Sequence, residues 1–495
     1  MIWALILVPA LCGFFAFFLK SGRAGLFLLT GAAALHFLLV MAAWIMPLPF
    51  TAASGWLAVD AASLLFLSIA SLLFLSVAIY SIFYLAPSRK APINDYLEGY
   101  QFENRPDAVF VGCLLLFLAS MTTVTVSRHL GVLWVAVEAT TLASAPLIYH
   151  HRHHRSLEAA WKYLLICSVG ISLALLGNFF LAMATRSLSG GELNLLLPVL
   201  VEHAARLSPE WLKAAFLLML VGYGTKMGLA PMHSWLPDAH SEAPSPVSAL
   251  LSGALLNCAF LAILRVYTIM EAAGLGQFAR DRLVLFGLIS MVWAAMLLIS
   301  QSDYKRMLAY SSVEHVGVMA VGVGVGGVAG FGAMLHAVNH SLVKAALFMV
   351  AGNILAVYQS KITKDTRGLL GVMPVSGVLW LAGILAVTGS PPFGLFASEL
   401  TILKGALAGG RYWVASAYLA ALVLAFAGII WAAMRMAYGQ PLVAANPPIM
   451  KVRESFFSVA GPVVLIFCVL ALGLWVPPPL RNLLSEAAAA LGGGM

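Results

Sequence analysis

Three lysines, three glutamates and two histidines stand inside stretches that are otherwise apolar. Lys162 lies in EAAWKYLLICSVG, Lys226 in LVGYGTKMGLAP and Lys344 in HSLVKAALFMVAGN. Glu138 lies in VLWVAVEATTLAS, Glu314 in LAYSSVEHVG and Glu399 in PPFGLFASELTIL. His336 and His340 precede Lys344 at four-residue steps, which puts all three on one helix face. A charge at mid-membrane costs at least ~2.5–3.5 kcal/mol on insertion scales, so ionisable residues there are functional by default. The chemistry open to them is proton relay. Out of water a lysine holds its proton less tightly and a carboxylate more tightly, and a nearby opposite charge reverses either effect. One pKa unit is about 1.4 kcal/mol, so a modest movement can pass a proton on. Structural ion pairs are the alternative, and the spread of these groups over many segments weighs against it.

The elements that must position them are membrane spans. The chain of 495 residues is 62% hydrophobic and only 10% charged, against a typical ~45–50% and ~25%. So little charge cannot keep a chain of this size dissolved, which excludes soluble enzymes, nucleic-acid binders and disordered chains. The net charge of +8 is scattered through short loops. A span needs about 20 apolar residues. Fourteen are predicted, near 2–19, 25–46, 61–84, 108–127, 130–149, 157–184, 212–231, 246–266, 283–300, 305–325, 329–356, 372–394, 412–434 and 457–476. The fold class expected is therefore an all-α polytopic membrane protein. Placing both termini outside collects Lys20, Arg23, Arg89, Lys90, Arg105, Arg152, Arg155, Lys305, Arg306, Lys361, Lys364, Arg367, Arg435, Lys451 and Arg453 on the inside, the side that basic loops favour. The first apolar run is long and lacks a basic start, unlike a cleaved signal.

Two spans are interrupted. Pro231 follows Lys226 by five residues, and Pro391 and Pro392 precede Glu399 by eight and seven. Proline removes a backbone donor and breaks a helix. Open backbone inside a bilayer is tolerated where it lines a watered cavity, and paired interruptions in two halves mark an ion or substrate site. Spans four to eight and nine to thirteen read as two inverted five-helix repeats. Lys162 is followed 64 residues later by Lys226, and Lys344 55 residues later by Glu399. The expected organisation is an N-terminal three-helix region (1–107), a first half (108–270), a second half (283–434) and a C-terminal helix and tail (435–495).

Other polar residues allow two readings each. His233 and His240, with Asp238 and Glu242, form either a proton inlet or a rigid Pro-rich turn. His315 either tunes Glu314 or is satisfied between helices. Lys305 and Arg306 are expected to snorkel at a span end, with gating as the alternative, and Arg265 to be interfacial. The HHRHHR run (150–155) reads as a solvated basic loop touching lipid or a partner. Cys12, Cys113, Cys167, Cys258 and Cys468 stand singly in apolar runs without C-x-x-C spacing, and no nucleotide loop is present. No metal or redox cofactor is expected in this chain.

These residues carry a resemblance. GTKMGLAPMHSWLPDAHSEAPSPVSALLSG (224–253), DYKRMLAYSSVEHVG (303–317) and HAVNHSLVKAALF (336–348) resemble the proton-pumping, antiporter-like membrane subunits of respiratory complex I, multisubunit Na+/H+ antiporters and membrane-bound [NiFe] hydrogenases. The resemblance covers about residues 60–430. EATTLAS, SLEAAWKY and SSVEHVG look most like component F of hydrogenase-4, the formate-hydrogenlyase type. It implies that Glu138 pairs with Lys226, the carrier of a first half-channel. It further implies that His336, His340 and Lys344 form a central axis, that Glu399 is the terminal carrier, and that Lys162 lies near the channel. Protons would enter near His240 or Lys305 and leave beyond Glu399. Span eight departs from the pattern, with Ser252 and Asn257 where complex I relatives carry lysine or histidine. A hydroxyl and an amide can still order water. The chain is expected to lack the lateral helix of the largest complex I antiporter subunit. The implied partners are other antiporter-like subunits, a small membrane anchor, and peripheral [NiFe] hydrogenase-like and iron–sulfur subunits carrying the clusters and the Ni–Fe centre, with no nucleic acid. The alternatives are a complex I-type subunit, a stand-alone cation/proton antiporter, a bicarbonate-uptake subunit, and a structural subunit whose channel has decayed.

Overall fold

Long apolar runs close their backbone hydrogen bonds within themselves, so the chain folds into helices wherever it must cross a bilayer. The computed structural model describes residues 1–86, 93–94, 101–187, 195–439 and 452–489. Arg89, Lys90 and Lys451, three of the basic residues counted inside, lie outside them. The helices are α1 (Ile2–Ala16), α2 (Gly22–Ala43), α3 (Ala61–Tyr84), α4 (Asp107–Val126), α5 (Leu130–Ile148), α6 (His154–Ala184), α7 (Leu197–Glu202), α8 (Pro209–Met227), α9 (Trp235–Glu242), α10 (Ser245–Leu250), α11 (Leu256–Ala272), α12 (Gly276–Ile299), α13 (Tyr304–Val325), α14 (Val328–Tyr358), α15 (Leu369–Val372), α16 (Pro374–Val387), α17 (Gly394–Ala408), α18 (Tyr412–Tyr438), α19 (Phe456–Leu474) and α20 (Pro478–Ala489). Two short hairpins, Phe50–Ala52 with Leu57–Val59 and Ile93–Asn94 with Gln101–Phe102, are the only sheets among the described residues.

Among the described residues, eleven helices are long and apolar enough to cross a membrane, with α10 and α11 counted as one. The other three predicted spans fall on the short α1, on α8 and on α16 with α17. α8 is long enough at 19 residues but carries Glu210, Lys213 and Lys226, whereas α16 and α17 are the short halves of a broken helix. The helix α10–α11 is continuous through a π-turn at Leu251–Leu255, and every residue of its apolar window is buried. It sits at the centre of the bundle.

Both breaks keep their backbone satisfied. Gly228 ends α8 at φ 90°, the left-handed conformation that favours glycine. Its amide and that of Leu229 return to the Gly224 carbonyl. The Trp235 indole donates to the Thr225 carbonyl at 2.8 Å, and the Ala230 amide to Ser290 Oγ at 2.9 Å. In the second break the Ser390 amide reaches the Leu385 carbonyl at 3.0 Å. Polar anchors lock the ends. Asp60 caps α3 through the Ser63 amide and holds Arg265 with both carboxylate oxygens and Arg128 with one. Arg265 is buried against Asp60 at the end of α3.

Candidate functional site

Lys226 lies in the last turn of α8, just before the break, and is fully buried. Its ammonium donates to Thr141 Oγ1 of α5 at 2.8 Å and to the Tyr163 hydroxyl of α6 at 2.6 Å. The Thr141 hydroxyl donates to Glu138 Oε2 at 3.2 Å, and Ser168 donates to Glu138 Oε1 at 3.0 Å. Glu138 and Lys226 therefore do not form the direct pair that the resemblance implied. A threonine one helical turn from the glutamate stands between them. All the bonds run one way, from ammonium to hydroxyl to carboxylate, which is the direction in which a proton would be released. Tyr163 also meets Ser144 at 2.7 Å.

Lys344 is fully buried in the middle of α14. It donates to the Leu308 carbonyl of α13 at 2.9 Å and makes a short bond to Ser311 Oγ. Like Lys226, it is met by neutral acceptors. Beyond it the histidines cluster. His315 Nδ1 lies 3.4 Å from Glu314 Oε2 and 3.1 Å from His336 Nε2, and His336 Nδ1 lies 2.9 Å from Ser398 Oγ of α17. The His340 ring is 5.2 Å from that of His315. Glu399, the residue after Ser398, is buried, and one oxygen has no hydrogen-bond partner, as is true of one Glu314 oxygen and both His340 nitrogens. In an interior this apolar, each orphan polar atom carries a penalty of roughly 1–3 kcal/mol. Such a set is kept for what it binds or passes on. Gly389, at φ 64° in the second break, faces Glu399 so closely that a Cβ there would collide with the carboxylate.

Between the two clusters stands α10–α11. Ser252, in the π-turn, meets Ser312 of α13 at 2.8 Å, and Asn257 donates to Ser341 of α14 at 2.6 Å, its own carbonyl oxygen unpaired. The uncharged residues of span eight thus touch α13 and α14, two of the three helices that carry the second cluster.

At one end of the bundle Lys305 is buried, not snorkelling, and donates to the Ala243 carbonyl at 2.7 Å. Beside it Glu242 pairs with Lys361 at 2.9 Å and lies 3.8 Å from His153. His240 is buried in α9 and donates from Nδ1 to the Leu236 carbonyl at 2.8 Å, leaving Nε2 free of partners. His233 is buried apart from it, near Trp293 and Tyr310. Lys162 is not in the interior. Its side chain is 45% exposed and pairs with Glu158 at 2.7 Å and Asp238 at 2.9 Å. Asp238 also holds Arg306, so Lys162 braces α6 to α9. The interior neighbour of Lys226 is the next residue, Tyr163. The HHRHHR run is only partly solvated: Arg152 and His154 are exposed, but His150 and His153 are buried. His151 bonds Tyr84 at 3.0 Å and Asn104 at 2.7 Å, and His153 caps α6. Burial pushes His150 down to about 4 and His151 well below the usual histidine range, so these rings are neutral at pH 7.

The sequence does not single out Thr141, Tyr163, Ser168, Ser311 or Ser398. Helical spacing carries a signal for some of them: Thr141 lies one turn after Glu138, and Ser311 one turn before Glu314. The abundance of hydroxyl residues elsewhere in apolar helices hides it.

Residues 127–425 match the family described as NADH:quinone oxidoreductase/Mrp antiporter, TM. A hydrogenase-4 component F homolog of Methylacidiphilum infernorum is 36% identical over 363 residues, 73% of this chain and 75% of that protein. NADH-quinone oxidoreductase subunit N of Desulforudis audaxviator is 32% identical over 387 residues, 77% of this chain and 75% of the relative. A chain of the membrane-bound sulfane sulfur reductase, an archaeal respiratory membrane complex, shares the fold at a TM-score of 0.85 with 22% identity, covering 99% of this chain and 98% of that one. The chain belongs to the NADH:quinone oxidoreductase/Mrp antiporter membrane family and is a multi-pass, antiporter-like subunit of that family.

Proposed function

Starting from that membership, we propose that the chain is the proton-translocating subunit of a hydrogenase-4-like or formate-hydrogenlyase-like complex in the cytoplasmic membrane of a prokaryote. The observation that carries this reading is the row of buried ionisable groups, Lys226 and Lys344 held by hydroxyls, Glu314 beside His315, and Glu399 next to Ser398. Electrons stay in partner subunits, the [NiFe] and iron–sulfur proteins, and their redox energy reaches this chain as a shift in charge. The first half (108–270) carries Glu138 and Lys226, and the second (283–434) carries His336, His340, Lys344 and Glu399. Protons are taken up at the end that holds Lys305 and His240, and both termini lie on the opposite, outer side. Glu138 tunes Lys226 through Thr141. Asn257 and Ser252 join the halves through water. Glu399 releases.

The test begins with a mild-detergent pull-down of the tagged chain from its native membrane. Co-purification of a [NiFe] large subunit and iron–sulfur proteins supports the reading, whereas recovery alone or with one soluble protein favours a stand-alone or bicarbonate-type transporter. The complex is then reconstituted in vesicles with a pH-sensitive dye. Redox-driven acidification that survives at the normal level in either Glu138→Gln or Lys226→Ala would sink the mechanism.

A further inference from the structure

We infer that His315, His336 and Glu399 form a binding site for a divalent transition-metal ion of the zinc class, and that occupancy blocks the route between the two ends of the second half. The residues come from α13, α14 and α17, far apart in sequence, so no ligand spacing reveals them. One ligand atom from each lies within 4.8 Å of the others, and all three residues are buried. In a tetrahedral zinc site with bonds of ~2.0–2.1 Å the ligand atoms stand about 3.3 Å apart. The His315 Nδ1 to His336 Nε2 distance of 3.1 Å already matches that edge, and the Glu399 oxygen, within 4.8 Å of both, must close in on them.

The hydrogen bonds prepare the lone pairs. Ser398 Oγ spends its own hydrogen on the Leu395 carbonyl at 2.8 Å, so it accepts from His336 Nδ1. That places the His336 lone pair on Nε2, facing His315, in the arrangement by which an outer partner orients a metal-binding histidine. Without an ion His315 Nδ1 donates to that lone pair; binding shifts the proton to His315 Nε2, which has no other hydrogen-bond partner. The unpaired Glu399 oxygen is the third ligand. Two positive charges in an apolar interior need compensation, and Glu399 with the adjacent Glu314 supplies two negative ones. Three protein ligands leave an open fourth position, as in exchangeable zinc sites. Glu399 also lines a cavity of about 250 Å³ with Thr388, Gly389 and Tyr418, so the third ligand has room to move. A bound ion takes the lone pairs that protons would use.

The site uses residues of the proposed route, but its occupancy can be read without any proton movement. The intact complex is dialysed against zinc chloride, and zinc per chain is counted. X-ray absorption at the zinc edge should show nitrogen and oxygen ligands with imidazole outer shells. His336→Gln should weaken zinc binding at least tenfold and remove part of the imidazole signal, while His153→Gln, in the loop, should change neither. Ser398→Ala acts through orientation, should weaken binding about tenfold, and carries the same expectation should His336→Gln not assemble. Zinc bound equally by wild type, His336→Gln and Ser398→Ala, or lost in His153→Gln, overturns the proposal, as does no binding to the wild type. Zinc binding in a complex that moves no protons would leave this site standing and remove the functional reading instead.

Discussion

At the residue scale the notable point is that neither Lys226 nor Lys344 is met by a carboxylate. Lys226 and Lys344 are solvated by hydroxyls and a backbone carbonyl. A full ion pair would hold the proton too firmly to release it on a small movement, whereas hydroxyls both accept from the ammonium and donate onward. Thr141 is the test of this idea. Thr141→Val keeps shape and removes only the link between Lys226 and Glu138. Translocation should fall roughly 10²-fold, the low end for a lost proton-transfer group, with assembly unchanged; a variant pumping within twofold of wild type would show that the route avoids Thr141. Lys162 supplies the contrast. It reads as a buried charge because it sits among apolar residues, but α6 begins at His154 and places it half-exposed beside Asp238. Lys162→Ala should therefore leave proton uptake by reconstituted vesicles within about twofold. A loss as deep as that of Lys226→Ala would return it to the channel.

At the element scale the two broken helices do different work. The first break follows its lysine, and a left-handed glycine and the Trp235 indole hold it open. The second precedes its glutamate, and the bare face of Gly389 admits the carboxylate. Gly389→Ala would drive a methyl into Glu399 at a residue whose φ is 64°. The strained backbone costs about 1–2 kcal/mol, and the carboxylate must leave its seat. The expected outcome is a complex that still assembles, melts a few degrees lower and translocates as poorly as Glu399→Ala; wild-type proton uptake would mean that this seat is not used. The breaks themselves are legible in the sequence, because proline and glycine beside an intramembrane charge have few other reasons to be there. The π-turn in α10–α11 is not. Its sequence, LSGAL, carries no proline, and the turn arises where the central helix packs against neighbours on every side. Asn257 reads in the sequence only as a missing charge, and its contact with Ser341 depends on that packing.

At the scale of the whole molecule, apolar length and the positions of charge foretell the helices, but the state of each polar end depends on what folds over it. The HHRHHR run is the clearest case. Six consecutive basic residues read as a solvated patch, but α3 carries Tyr84 to His151, and Asn104 closes over it, so His151, like the buried His150, is neutral, while Arg152 and His154 stay exposed. The other end of α3 is pinned by Asp60. Burial alone would raise the Asp60 carboxyl, but Arg265, Arg128 and the Ser63 amide outweigh it and hold it well below the usual carboxylate range. The two ends must then respond oppositely to acid. A histidine whose folded pKa is lowered costs stability as pH falls from about 6.5 toward its folded value of about 4, because the unfolded chain binds more protons there. For His150 alone that amounts to roughly 2 kcal/mol at pH 5. Asp60 keeps its contribution above its ordinary pKa and loses it only as pH falls through the depressed folded value, so at pH 5 it is intact. Hydrogen exchange of the purified complex at pH 7.5 and pH 5, corrected for intrinsic rates, should therefore show faster exchange around residues 148–156 at pH 5 and no change around residues 57–64. Equal loosening at both ends, or at the Asp60 end alone, would show that the buried histidines are not what ties the acid response to this fold.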